Sequence, residues 1–491
     1  MTLQDSPPET ASTPTTPAVK AGPVIALLVI AAFVVILNET VMGVALTPIM
    51  EDLGVTAATG QWLTTGFLLT MAVVIPLTGF LLERFPLRNV FFAAMILFST
   101  GTLIGALAPT FEVLLAGRIV QASGTAIMMP LLFTTVLTIV PASHRGRMMG
   151  VITIVIAVAP AVGPTVSGLI LSIATWHFLF WSVLPIALIA LALGAVWVRN
   201  VTKTRPDARF DVLSVVLSAV GFGGLIFGLS SIGEAAAGEA PVPIWIPLVV
   251  GSVSLVAFVL RQLQLQKVDG ALLDLRTFQS KTFSLAVVLV VIVMASLFGS
   301  LILLPIYLQQ VLGLNVLSVG LMLLPGGVLM GVMAPFVGNA FDRFGPTPLV
   351  IPGMVIAAGS LWGMATFDAG TTVGWVIAVH LGLNLGLGLV FTPLLTSALG
   401  SLPPRLYPYG SATVGTMQQV AGAAGTALFV TLMSVTAAAA LAEGTDQVAA
   451  TAAGVHTAFF VGAVLASAAV PLALFVRKPA DMVESGNAPV H

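Results

Sequence analysis

Apolar residues run through this chain in long, nearly unbroken stretches separated by short polar connections. Fourteen of these stretches are long enough to cross a bilayer as helices, which takes about 20 apolar residues. They fall at roughly 23–47, 61–82, 89–108, 112–139, 147–173, 176–198, 210–232, 241–263, 282–308, 315–340, 347–367, 371–398, 409–437 and 456–476. The pattern predicts an all-α polytopic membrane protein. An even number of spans puts both termini on one side.

The first run contains an acid. If the helix stopped before Asn38 to leave Glu39 in water, only about 16 residues would remain, too few to span. Glu39 is therefore placed within the membrane, where a carboxylate costs a few kcal/mol and must face a polar cavity, pair with a cation or carry a proton. The alternative is a Glu39 that snorkels to the outer surface.

Composition and charge sharpen this picture. The chain has 491 residues, 58% hydrophobic and 8% charged, against about 25% charged in an average soluble domain. With no cysteine, disulfides, thiol catalysis and Cys-based metal sites are excluded. Of the 18 Lys and Arg residues, all but Arg118 fall in one set of connections and tails, and the opposite connections carry acids such as Glu51, Asp52, Glu234, Glu239 and Asp368. The positive-inside rule then makes both termini cytoplasmic. Arg118 lies in the fourth span about 9 Å from its outer end, and Glu39 about 11 Å from the outer end of the first, at 1.5 Å per residue. A carboxylate and a guanidinium at one depth predict a pairing, direct or through water.

The chain also repeats. Pro76-Leu-Thr-Gly79-Phe-Leu-Leu-Glu83-Arg84-Phe85 returns as Pro335-Phe-Val-Gly338-Asn-Ala-Phe-Asp342-Arg343-Phe344, offset by the 259 residues between Glu83 and Asp342. Two six-helix bundles, 22–200 and 271–477, thus flank two inserted helices within 201–270. Residues 1–21 read as a disordered cytoplasmic tail and 478–491 as a second tail. Parallel repeats about an axis along the membrane normal are a transporter architecture, with the substrate site between the halves. Duplication of a structural membrane protein is the alternative.

The motifs on this frame resemble the major facilitator superfamily, specifically its fourteen-spanner drug:proton antiporters of the EmrB/QacA type, over essentially all of the chain after the tail. Gly79-x-Leu81-x-Glu83-Arg84, with Arg88 close by, is similar to the family's gating motif after span 2. Gly338, Asp342 and Arg343 belong to its second copy. The first copy departs from the pattern at Glu83, Pro86 and Leu87. The plainer reading of both is a turn with charged topology anchors. Arg118-x-x-Gln121-Ala122 resembles the span 4 motif whose Arg the family links to proton coupling. Pro160, Gly163, Pro164 and Gly168 resemble the span 5 motif of antiporters, with Ala159 and Ser167 in place of glycines. An ordinary proline kink would leave the same trace. In span 1 the family's acid position is Asn38, and Glu39 stands one place on. Trp176 and Pro185 match the span 6 segment, which His177 and Val183 do not. His380, in span 12, is either a proton relay or a packing residue.

The resemblance implies a proton-coupled antiporter that exports amphipathic drugs or toxic compounds from a bacterial cytoplasmic membrane by alternating access, not an enzyme. Proton coupling falls to Glu39, Arg118 and His380. Asn38, Gln121, Met128, Gln309, Asn384, Met417 and Gln418 are candidates for the substrate cavity, where Met and amide side chains can repack around varied ligands. The partners expected are the lipid bilayer, small amphipathic substrates and protons, with no nucleic acid, in a monomer. No cofactor is expected: the chain has no G-x-x-x-x-G-K-[ST] motif, and the proton gradient is the energy source. Export of a lipid or endogenous metabolite, and a non-transporting membrane sensor or scaffold, remain the other readings.

Overall fold

The computed structural model describes residues 21–55, 57–200, 204–205, 211–232 and 242–477. The terminal tails (apart from Ala21), Lys203, Arg209, Glu234 and Glu239 lie outside the described residues.

Without water to satisfy peptide groups in hydrocarbon, each apolar run closes its hydrogen bonds internally as a helix. Among the described residues fourteen long helices result: α1 (Ala21–Leu53), α2 (Ala57–Arg84), α3 (Leu87–Ala106), α4 (Phe111–Ile139), α5 (Arg145–Leu171), α6 (His177–Trp197), α7 (Val212–Ser230), α8 (Trp245–Leu265), α9 (Lys281–Ile306), α10 (Val316–Phe344), α11 (Thr347–Met364), α12 (Val373–Gly400), α13 (Tyr407–Ala442) and α14 (Gln447–Ala473). Thirteen are long and apolar enough to cross a membrane, and α5, bent by 41° between Ala142–Pro160 and Thr165–Leu171, makes a fourteenth if its two arms form one span.

Several boundaries differ from the hydropathy pattern, some for evident local reasons. α1 continues to Leu53 and α2 begins at Ala57, so Glu39 is 14 residues from the end of its helix. α13 runs on through an alanine-rich segment until Gly444 turns the chain at φ +89°. α14 starts at Gln447, well before 456, because the Asp446 side chain caps it by accepting from the amides of Val448 and Ala449.

Helices α1–α6 pack among themselves, as do α9–α14. The two bundles meet along two seams, α5 against α10 and α2 against α13, with α4 on α13 and α5 on α12 between them. The inserted pair is a hairpin: α8 packs on α7, and α7 lies across the α2–α13 seam, touching both helices. Phe222 and Ile226 of α7 are buried there beside Ala72, Phe80 and Ala412. An Asp211–Arg261 ion pair (2.6 and 2.7 Å) ties the start of α7 to α8 and holds the Asp211 carboxyl down at about 2.

The connections carrying the Lys and Arg residues meet at one end of the molecule. Arg88 donates from α3 to the Ala195 carbonyl (2.9 Å), Arg205 reaches Glu83, and Ser280 bonds Ser401 (2.8 Å). At the opposite, acidic end Trp176 donates to Asp52 (2.8 Å) and the Tyr307 hydroxyl to the Asp368 carbonyl (2.7 Å).

Candidate transport pathway and gates

The Asn38-Glu39-Thr40 turn of α1 sits against the bend of α5. Pro160 and Pro164 bring no amide hydrogens, so the carbonyls one turn earlier lose their helical partners and the helix bends there. The Thr40 hydroxyl donates to its own Leu37 carbonyl (3.0 Å) and reaches the Ala159 carbonyl of α5 (3.4 Å). A Cβ on Gly163 would lie 2.2 Å from the Thr40 hydroxyl, so only glycine admits this approach. Gly168 faces open space and Pro160 is half-buried. Glu39, half-buried, is thus held one residue from the α1–α5 contact. Asn38 is buried, and its amide nitrogen has no partner among the described residues.

On α4, Arg118 is 1% exposed. It lies within electrostatic reach of Glu39, yet among the described residues the two form no ion pair within 4.0 Å. Of the expected pairing, direct or through water, the direct form is absent, and local partners hold the guanidinium. Arg118 Nη1 donates to Gln121 Oε1 (2.8 Å), Gln121 Nε2 to the Thr102 hydroxyl (2.7 Å), and Thr102 to the Phe98 carbonyl (2.6 Å). The guanidinium also lies 4.1 Å over the Phe67 ring of α2. The i, i+3 spacing puts Arg118 and Gln121 on one face of α4, and Gly101 lets α3 come close enough for Thr102 to complete the chain. Arg118 Nε is left buried without a partner among the described residues, a polar edge available to a neighbouring acceptor.

The two copies of the gating motif occupy the two seams at the basic end. Asp342 of α10 caps α5 from across the interface: Oδ1 accepts from the Gly146 amide (2.7 Å) and Oδ2 from the Arg147 amide (2.8 Å). No side chain of α5's own N-cap residue, His144, does so. A carboxylate on two helix-terminal amides combines charge-assisted hydrogen bonds with the helix dipole. Gly338 makes this possible, since a Cβ there would meet the Gly146 carbonyl at 2.3 Å. In the other seam Gly79 faces Tyr409 of α13, and Glu83 accepts from the Tyr409 hydroxyl and from Arg205 Nη1 (2.9 Å). Arg88 stays within its bundle, its backbone on Asn200 and its side chain on Ala195; Arg84 lies over Phe85 and Arg343 over Phe344. Deeper in, Thr134 donates to Ser411 (3.3 Å) and Thr153 bonds Thr392 (2.7 Å) across the bundles. These contacts join the two bundles on the side of the basic end.

The remaining candidates divide. His380 and Asn384 of α12 fill the notch left by Gly326 of α10; the imidazole Nε2 bonds the Leu323 carbonyl (3.2 Å), and Asn384 donates to the His380 carbonyl (2.9 Å). Both therefore belong to the second bundle, apart from the Glu39 cluster. Met128 is buried in the core, whereas Met417 and Gln418 are half-buried on α13, the Gln418 amide nitrogen without a partner among the described residues. Gln309 is exposed on the π turn Tyr307–Val311 that ends α9. Thr40, Phe67, Thr102, Arg205 and Tyr409 complete the sites without having been singled out from sequence; their partners are too distant along the chain to show there. No group of three or more His, Asp or Glu that could hold a metal ion occurs among the described residues.

Two six-helix bundles that meet along two seams, with a carboxylate and a guanidinium among the helices of the first, are an arrangement of membrane transporters. The model of the Major Facilitator Superfamily matches residues 28–426, and the chain belongs to that family. It is 44% identical over 462 residues, 93% of this chain and 97% of the relative, to a lincomycin resistance protein, LmrB, of Listeria monocytogenes. A multidrug resistance protein B homolog of Mycobacterium tuberculosis is 31% identical over 83% of this chain and 75% of its own. Among solved structures, the human organic anion transporter MFSD10 superposes with a TM-score of 0.65 at 15% identity, covering 92% of this chain and 99% of that one, a likeness of fold.

Proposed function

We propose that the protein is a proton-coupled antiporter that exports amphipathic compounds across a bacterial cytoplasmic membrane by alternating access, with its basic end in the cytoplasm. The observation that carries this reading is the seat of Glu39: a half-buried carboxylate, within electrostatic reach of Arg118, on the turn of α1 that rests in the bend of α5. Protonation of Glu39 removes a charge one residue from the α1–α5 contact that Gly163 allows, so proton uptake and the α1–α5 fit are linked. Arg118, held by Gln121 and Phe67, supplies a fixed positive charge near the carboxylate. In this reading the contacts of Asp342 and Glu83 across the basic end belong to the outward-facing state. Opening inward breaks those latches, and cargo binding from the cytoplasm alternates with the proton on Glu39. The names of its relatives support a resistance role, and lincomycin belongs in the first panel of compounds. Substrate-stimulated proton flux in proteoliposomes, wild type against Glu39→Gln, tests the proposal. It also separates transport from a sensor or scaffold role.

A further inference from the structure

The two latches are built differently. Asp342 meets two backbone amides at the start of α5. At the start of α13 the equivalent offer is missing, because Pro408, its second residue, has no amide hydrogen. Glu83 finds the Tyr409 hydroxyl instead, and its second donor is Arg205. Arg205 lies in the connection from α6 to α7, the segment that leads into the inserted hairpin. Its backbone amide also donates to the Glu83 carbonyl (2.8 Å), so the segment is pinned to the end of α2 at two points. The Glu83 side chain is 10% exposed and that of Arg205 55%.

The far end of the insert arrives at the same place. In the α8–α9 connection, Arg276 pairs with Asp269 (2.5 Å) and Asp274 (2.6 Å), and these residues line one pocket with Glu83, Arg205 and Tyr409. Arg205 and Arg405 both add to the positive field on Asp269. The connection is held by Gln262 of α8, which accepts from the amides of Leu272 (2.8 Å) and Leu273 (3.2 Å) and donates to Ser214 of α7 (2.7 Å). Both flanks of the insert therefore converge on one latch, beneath the seam that α7 covers.

We propose that Arg205 is a positioning residue of the gate, holding the Glu83 carboxylate against the Tyr409 hydroxyl, and that the inserted hairpin thereby forms a working part of the α2–α13 latch. A carboxylate with one phenolic donor is free to swing away; a charge-assisted bond from the opposite side fixes its direction. This rests on the reading of Glu83 and Asp342 as gate latches, and the test separates the two. Spin labels at Phe85→Cys and Pro404→Cys, both exposed and on opposite bundles, report the width of the basic end in a chain that has no other cysteine. Arg205→Ala is expected to raise the population of the longer distance about threefold, the size an ion pair half in water supports. Arg205→Lys should stay near wild type, and Arg205→Ala should add nothing in a Glu83→Gln background. If Asp342→Asn widens the distribution while Arg205→Ala leaves it unchanged, or if Arg205→Ala acts equally without Glu83, the positioning role is overturned. If neither Asp342→Asn nor Arg205→Ala moves the distance, the gate reading itself fails.

Discussion

Gly163 and Thr40 show how much of the mechanism hangs on single atoms. The glycine has no φ that demands it; it is required because a Cβ would sit 2.2 Å from the Thr40 hydroxyl. Gly163→Ala should therefore push α1 off the α5 bend and destabilise the protein by about 1–3 kcal/mol, the usual effect of overpacking. Transport should fall with it. Thr40→Ala removes the colliding oxygen and should restore part of both. Thermal unfolding and efflux of the single and double variants check this, and a Gly163→Ala protein indistinguishable from wild type would show that the approach is not tight. Arg118 makes a second point at this scale. The matching depths of Arg118 and Glu39 suggested a pair, but a guanidinium has several donors and a flat face, and Gln121 and Phe67 on nearby turns take them first. Sequence spacing exposes the i, i+3 partner on the same helix. It gives no sign of the ring contributed by α2.

At the scale of elements, hydropathy makes the helices legible because a bilayer leaves the backbone no other choice, and all fourteen apolar runs became helices. Their ends are less legible where polar caps and not apolar length decide them, as Asp446 does for α14. The latches are partly legible. The repeat pointed to Glu83 and Asp342, but their partners lie far along the chain: 196 residues separate Gly146 from Asp342, and 326 separate Glu83 from Tyr409. The cap on α5 carries a prediction. Asp342→Asn keeps one acceptor oxygen and loses both the charge and the second acceptor, so the closed basic end should be disfavoured by about 1 kcal/mol, roughly fivefold in population. Cysteine accessibility in the seam, measured with a membrane-impermeant reagent, should rise by that factor; unchanged labelling would reduce Asp342 to a topology anchor.

For the whole molecule, the design is two bundles that share two seams, a hairpin laid over one seam, and one carboxylate in α1 facing the field of one guanidinium. This arrangement limits the cargo. Glu39 alone, partly offset by Arg118, can balance little more than one positive charge. Neutral or singly charged lipophilic compounds should be exported better than rigid dications, which paired efflux assays with mono- and bis-quaternary dyes can compare. Robust export of the dication would mean that further acids line the pathway.

The most direct test of the account is proton movement driven by cargo. In proteoliposomes carrying a pH-sensitive dye, addition of a transported compound should trigger proton release from wild-type protein. Glu39→Gln, folded and still binding the compound, should release none above protein-free vesicles. Full substrate-driven proton flux in the Glu39→Gln protein would contradict the assignment of Glu39 as the coupling acid.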